Sequence, residues 1–173
     1  LIIDWDDLDE LSQATPLLAR VYPNGSADVN DFHNAGGLGF VIRELIDAGL
    51  MHGDIACVHG GDLRRQCQVP ALDGTALVWR DAPAVSGDTA IVRPAAEPFD
   101  REGGLRRLQG NLGRAVAKIS AVAPEHRAIR APVRVFTSQD ALIAAFKAGA
   151  LDPREGFEGH FIAVLIGQGP RAN

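Results

Sequence analysis

The amino-acid sequence predicts an α/β fold, and three patterns carry that expectation. Leu38, Val41, Ile42, Leu45 and Ile46 recur at helical spacing and make one apolar stripe behind Gly36-Gly37. Pro132-Val133-Arg134-Val135-Phe136 alternates with period two and is rich in β-branched residues. Phe161-Ile162-Ala163-Val164-Leu165-Ile166 is a continuous apolar run, as a strand buried on both faces would be.

The remaining elements follow in chain order. Residues 4–13 put Asp4, Asp6 and Asp7 ahead of Leu8 and Leu11, so negative charge meets the positive dipole end of a short helix that Pro16 stops. Residues 16–22 read as extended, and Pro23-Asn24-Gly25-Ser26 as a turn. The main helix ends at Gly49, where a left-handed cap suits glycine, with Arg43, Glu44 and Asp47 on its far side. Short strands are expected at 55–58, 76–79 and 88–92, between Gly60-Gly61, Pro70, Asp73-Gly74 and Pro83. The Pro- and Ala-rich stretch 80–98 marks a boundary near residue 95, giving one domain over 1–95 and a second over 96–173. The second part reads as β, β, α, β: a strand over 115–121, one over 132–136, a helix over 139–148 capped by Ser138 and closed by Gly149, and a strand over 161–166.

Composition narrows the function classes. A chain of 173 residues suits one ordinary domain or two small ones, and 46% hydrophobic with 23% charged residues is globular composition. The net charge of −5, with no Lys/Arg run, argues against a nucleic-acid partner and against an anionic membrane surface. No apolar run reaches the length of a membrane span, and the acidic residues directly behind Leu1-Ile2-Ile3 are unlike a signal peptide. Cys57 and Cys67 belong to no Cys-x-x-Cys pair and read as reduced thiols. The start at Leu1, the single Met51 and the turn-like Gly169-Pro170-Arg171-Ala172-Asn173 ending suggest a segment of a larger protein.

Several residues have chemistry to offer, each with a plain alternative. Gly36-Gly37 precedes a helix, where free N–H groups attract anions, or it serves helix-start geometry alone. His33 is a hydrogen-bonded structural residue or a catalyst in the same turn. His52, His59, His126 and His160 have no partner at metal-ligand spacing. Lys118 lies on the outer face of a strand or reaches into a cleft, and Asn111 and Arg114 sit in a Gly-bounded loop suited to ligand contacts. The pairs Asp6/Asp7 and Asp9/Glu10 read as a solvated helix face.

The blocks Leu17-Leu18-Ala19-Arg20-Val21-Tyr22-Pro23-Asn24-Gly25, Ile42-Arg43-Glu44-Leu45 with Ala48-Gly49-Leu50, Gly110-Asn111-Leu112-Gly113-Arg114-Ala115-Val116, and Gln168-Gly169-Pro170-Arg171-Ala172-Asn173 occur in that order. From Asp4-Trp5-Asp6-Asp7 to the last block the chain resembles the dihydroxyacid/phosphogluconate dehydratase family. Tyr22-Pro23-Asn24-Gly25 and the 110–116 block are similar to its phosphogluconate branch. The resemblance implies the end of an α/β domain followed by the first part of a swivelling β/α barrel-like domain. It implies a cytoplasmic, homodimeric hydro-lyase of the Entner–Doudoroff pathway. Its substrate would be a small phosphorylated sugar acid, 6-phospho-D-gluconate, converted to 2-dehydro-3-deoxy-6-phosphogluconate. An iron–sulfur (4Fe-4S) cluster would act as Lewis acid on the leaving hydroxyl, with a divalent metal such as Mg as a further cofactor.

The family's cluster cysteines precede this stretch, and its catalytic serine and acidic residue follow it. The segment is therefore expected to hold no catalytic residue and no metal ligand. The same resemblance implies substrate contacts from Asp31, His33, Gly36 and Gly37 near the cleft, and from Asn111, Arg114 and Lys118 at the opening of the second domain. Residues 153–160 look longer than the family's turn. Two alternatives stand beside this reading: a sister dihydroxyacid or sugar-acid dehydratase, and a non-catalytic, free-standing binding module.

Overall fold

The computed structural model describes residues 2–58, 60–151 and 161–168; His59, the 153–160 stretch and the 169–173 block lie outside the described residues. The architecture is mixed helix and strand, with three two-stranded sheets, and two compact units divide the chain, Leu1–Ala123 and Pro124–Asn173.

The first unit opens with α1 (Trp5–Ala14). Asp4 caps it by accepting from the N–H groups of Asp6 and Asp7, while Asp7 accepts from the N–H of Asp4. The same device recurs at α2 (Val29–Asn34), where Asp28 and Asp31 cap each other's backbone. This helix is not among the expected elements; its signal is the Asp-x-x-Asp spacing, which acts as a capping box when the third residue inside the helix is acidic.

The helix α3 (Gly37–Asp47) fits the apolar stripe with two differences. Leu38 is exposed, and Phe40 takes a fully buried place instead. Arg43 and Glu44 are not solvated: the Arg43 guanidinium donates to the carbonyls of Ala82, Pro83 and Ala84 at 2.9, 2.7 and 3.3 Å, and Glu44 Oε2 accepts from the N–H of Ala95 at 3.0 Å. Gly49, with φ +72°, closes the helix: its N–H donates to Ile46 and that of Leu50 to Leu45.

After a short 3-10 helix (Leu63–Cys67), β1 (Gln68–Asp73) and β2 (Ala76–Asp81) form an antiparallel hairpin. The register pairs Pro70 with Trp79 and Leu72 with Leu77, so these four share one face, and Leu72, Leu77 and Trp79 are exposed there. Val69 packs on the core from the opposite face. Two expected strands are absent. Residues 55–58 contribute only the isolated Ala56–Asp62 bridge. At 88–92 the Asp88 side chain accepts from the N–H of Ala90 at 2.8 Å, which folds the segment into a turn, and only Val92 bridges, to Ala19.

That bridge belongs to an irregular ladder holding the unit together: Phe99 N–H donates to Leu17, Arg93 to Leu18, and Arg20 to Ile91. Above it, Ala35, Phe40, Ala82 and Val92 form the buried core, flanked by Phe32, Val41, Val69 and Ile91.

The expected strand at 115–121 is β4 (Gly113–Lys118), and it pairs with an unforeseen β3 (Leu105–Gly110) across the two-residue turn Asn111-Leu112. Two arginines and a glutamine in β3 hid its period. Those arginines meet the acids of α1: Arg107 Nε lies 2.6 Å from Asp6 Oδ1, Arg106 NH1 3.8 Å from Asp9, and the Arg107 N–H donates to Asp9 at 2.8 Å. Arg106 also pairs with Glu102. The solvated-face reading of Asp6 and Asp9 is thereby corrected: they dock α1 onto β3.

In the second unit β5 (Val133–Phe136), α4 (Gln139–Lys147) and β6 (Ile162–Leu165) form a β-α-β run whose strands pair in parallel. Ser138 caps α4 through the N–H of Ala141, as expected. β6 is not buried on both faces, because β5 is its one strand neighbour among the described residues and Ile162 and Ala163 face outward.

Arg43→Met removes charge-assisted bonds to three backbone carbonyls while keeping the stem. A loss of about 2–3 kcal/mol is expected, read as a lower urea midpoint with unchanged slope; an unchanged midpoint refutes the clamp.

Candidate functional site

A cleft of about 490 Å³ opens beside the Tyr22-Pro23-Asn24-Gly25 turn. Its lining includes Arg20, Asn24, Ser26, Asp31 and Asp88, with Gly25 and Ile91. The turn is drawn tight over the preceding strand-like run: the Tyr22-Pro23 peptide is cis, the Tyr22 N–H donates to Ala27 and that of Asn24 to Val21. Glycine is required at 25 by close approach, since a Cβ there would lie 2.5 Å from the Arg20 carbonyl oxygen. Asn24 is fixed from outside by the Ser120 hydroxyl, which donates to its Oδ1 at 2.9 Å and leaves the amide NH2 as donor. Asp31 and Asp88 each hold one backbone N–H, through Oδ2 and Oδ1 respectively.

The far wall of the cleft is the 88–91 turn, and the Arg20 guanidinium stacks 4.5 Å from the centroid of Phe99. The set combines a cation, two carboxylates, an amide and a hydroxyl. That is the donor and acceptor mixture a polyhydroxylated anion requires.

The family model described as Dihydroxy-acid/6-phosphogluconate dehydratase N-terminal matches residues 1–66, and its C-terminal counterpart matches residues 90–173. The chain belongs to the dihydroxy-acid/6-phosphogluconate dehydratase family. It is 53% identical, over 99% of its length, to the phosphogluconate dehydratase of Pseudomonas aeruginosa and 47% identical, over 100%, to that of Zymomonas mobilis. A dihydroxy-acid dehydratase of Parasynechococcus marenigrum is 35% identical over 95% of the chain. The chain spans 27% or 28% of the length of these relatives.

Of the residues that the family resemblance singled out, Asp31 lines the cleft. His33 follows on α2 and is exposed. Gly36 and Gly37 are buried, with φ of +136° and +64° at the α2–α3 junction, where a Cβ on Gly36 would strike Phe40. Asn111, Arg114 and Lys118 are exposed on the β3–β4 hairpin, Asn111 in its turn and Lys118 opposite Leu105 at its base. None of these three lines the cleft. The sequence does not mark Arg20, Asn24, Ser26 or Asp88 as cleft residues: Arg20 and Asn24 stand in a family block, Asn24 and Ser26 in a turn, and Asp88 in an expected strand. The close approach demanded by Gly25, which folds Arg20 and Ser26 toward one another, has no signature in spacing.

For an iron–sulfur cluster, the described residues do not fit. No group of three His, Cys, Asp or Glu side chains among them is placed to hold a metal. Cys57 Sγ turns to the Ile55 carbonyl at 3.7 Å. Burial pushes the Cys67 thiol up, partly offset by the nearby Arg43, which disfavours the thiolate a cluster binds.

Two measurements follow. Gly25→Ala is expected to cost about 1–3 kcal/mol of stability by forcing the turn off Arg20, and a wild-type thermal midpoint refutes that packing. Since alkylation needs thiolate, Cys67 in the folded chain reaches half-maximal labelling at higher pH than in the urea-unfolded chain; coincident midpoints contradict its burial.

Proposed function

We propose that the protein carrying this chain is a hydro-lyase converting 6-phospho-D-gluconate to 2-dehydro-3-deoxy-6-phosphogluconate in the Entner–Doudoroff pathway. The observation that carries the reading is the identity gap: 53% and 47% to two phosphogluconate dehydratases against 35% to a dihydroxy-acid dehydratase. The reaction removes the C2 proton and the C3 hydroxyl as water, and the enol left behind tautomerises to the 2-keto acid. The contribution of this chain is to bind and orient substrate. The polar cleft supports that role through Asp31, and the exposed cations Arg114 and Lys118 suit a phosphate or carboxylate. His33, Gly36, Gly37 and Asn111 complete the proposed substrate-binding set.

Residues 1–95 are read as the end of the first α/β domain and 96–173 as the start of a swivelling β/α barrel-like domain. The two family models support the division, one ending at residue 66 and the other beginning at 90. A 4Fe-4S cluster and a divalent metal such as Mg belong to the proposal, with all ligands outside the described residues. A cytoplasmic homodimer is the proposed state. Among the described residues no helix is long and apolar enough to cross a membrane.

The test is substrate preference in the intact protein. Its kcat/KM for 6-phosphogluconate is expected to exceed that for gluconate, and for a branched dihydroxy acid, by at least about 100-fold. Equal values for gluconate and its phosphate end the phosphogluconate reading.

A further inference from the structure

Arg20 is the cation in the cleft lining. Arg43, Arg64, Arg106 and Arg107 all have carboxylate partners. Arg20 has none among the described residues, although it shares the cleft with Asp31 and Asp88. Nor does Arg93, whose guanidinium carbon sits 4.4 Å from the centroid of the same Phe99 ring that Arg20 covers at 4.5 Å. Two like charges are thus gathered on one aromatic platform. The backbone holds them there: the Arg20 N–H donates to Ile91, the Arg93 N–H to Leu18 and the Phe99 N–H to Leu17, while Arg93 Nε donates to the Thr89 carbonyl at 3.1 Å.

Arg93 lies outside the cleft lining, but because it stacks on the same ring it adds to the positive potential that an anion beside Arg20 meets. The ring stacking immobilises Arg20 before any ligand arrives, so little side-chain freedom is lost on binding. The opposite lining has the complementary chemistry. Among the described residues no backbone N–H reaches Asp31 Oδ1 or Asp88 Oδ2, and the amide NH2 of Asn24 remains a donor.

We propose that Arg20, steadied by Phe99 and reinforced by Arg93, binds an oxyanion group of a polyhydroxylated ligand in this cleft, with Asp31 and Asp88 accepting from its hydroxyls. The proposal rests on the reading above for the identity of that ligand, a phosphorylated sugar acid. The oxyanion is either its phosphate or its carboxylate; both meet a guanidinium through the same paired N–H contacts. Arg20 is a specificity-determining residue in this account, with no part in proton transfer.

The experiment is calorimetric titration of the intact protein and its Arg20→Gln, Arg20→Lys and Arg93→Gln variants with 6-phosphogluconate, gluconate and inorganic phosphate. Arg20 is exposed, so Arg20→Gln is expected to leave the urea midpoint unchanged. Arg20→Gln should weaken 6-phosphogluconate at least ten-fold, with Arg20→Lys and Arg93→Gln intermediate, and should raise KM with little change in kcat. If gluconate affinity is untouched, the arginine takes the phosphate; if both fall alike, it takes the carboxylate. The proposal is overturned if Arg20→Gln leaves all three probes within two-fold of wild type, whether or not the protein dehydrates 6-phosphogluconate. Conversely, a wild-type protein that does not turn over 6-phosphogluconate, yet binds inorganic phosphate in an Arg20-dependent way, sinks the functional reading and leaves the cleft standing.

Discussion

The Arg43 guanidinium is the interaction on which the first unit turns. Three consecutive carbonyls, those of Ala82, Pro83 and Ala84, point at one side chain, and no regular secondary structure is present there to satisfy them otherwise. Glu44, one residue on, takes the Ala95 N–H. Between these two anchors runs the irregular 84–94 segment, which supplies Val92 to the core and the 88–91 turn to the cleft wall. A helix thus positions a loop, and the loop shapes a site to which the helix contributes no lining residue.

Charge is used in two opposed ways in the same unit. On the α1–β3 side each arginine meets acids: Arg107 with Asp6, Arg106 with Asp9 and Glu102. These pairs fasten a short helix to a hairpin edge that would otherwise expose its backbone. On the cleft side Arg20 and Arg93 share an aromatic ring and have no carboxylate partner among the described residues. Neutralised cations hold structure together; the proposed binding role falls to cations left without such a partner.

Much of the fold was legible because local rules were obeyed. The stripe from Val41 to Ile46, the Ser138 cap and Gly49 each act through neighbours within a turn or two, and the helices appear where those signals stand. The misreadings share a different cause. Arg43 and Glu44 looked solvent-facing because their partners lie 39 and 51 residues away. The 88–92 run looked like a strand, but the Asp88 side chain outcompeted a ladder for the Ala90 N–H. In β3, arginines recruited by α1 erased the alternation that marks a strand. Of the site, Asp31 was reachable from the family resemblance. Arg20 stood in a family block with nothing to mark it as a cleft residue, and Asp88 was out of reach, since it comes beside Arg20 only through the long-range ladder linking residues 17–20 to 91–99.

The β1–β2 hairpin falls in the interval between residues 66 and 90 that neither family model covers. Its root is constrained, since Val69 packs on the core and Cys67 accepts the Ala82 N–H. Its tip is not: a Cβ at Gly74 would meet nothing within 4 Å, although φ of +60° still favours glycine there. Length changes at the tip therefore cost little beyond closing a larger loop. The hairpin tip is the natural point for grafting a foreign peptide without disturbing Arg43 or the cleft it supports.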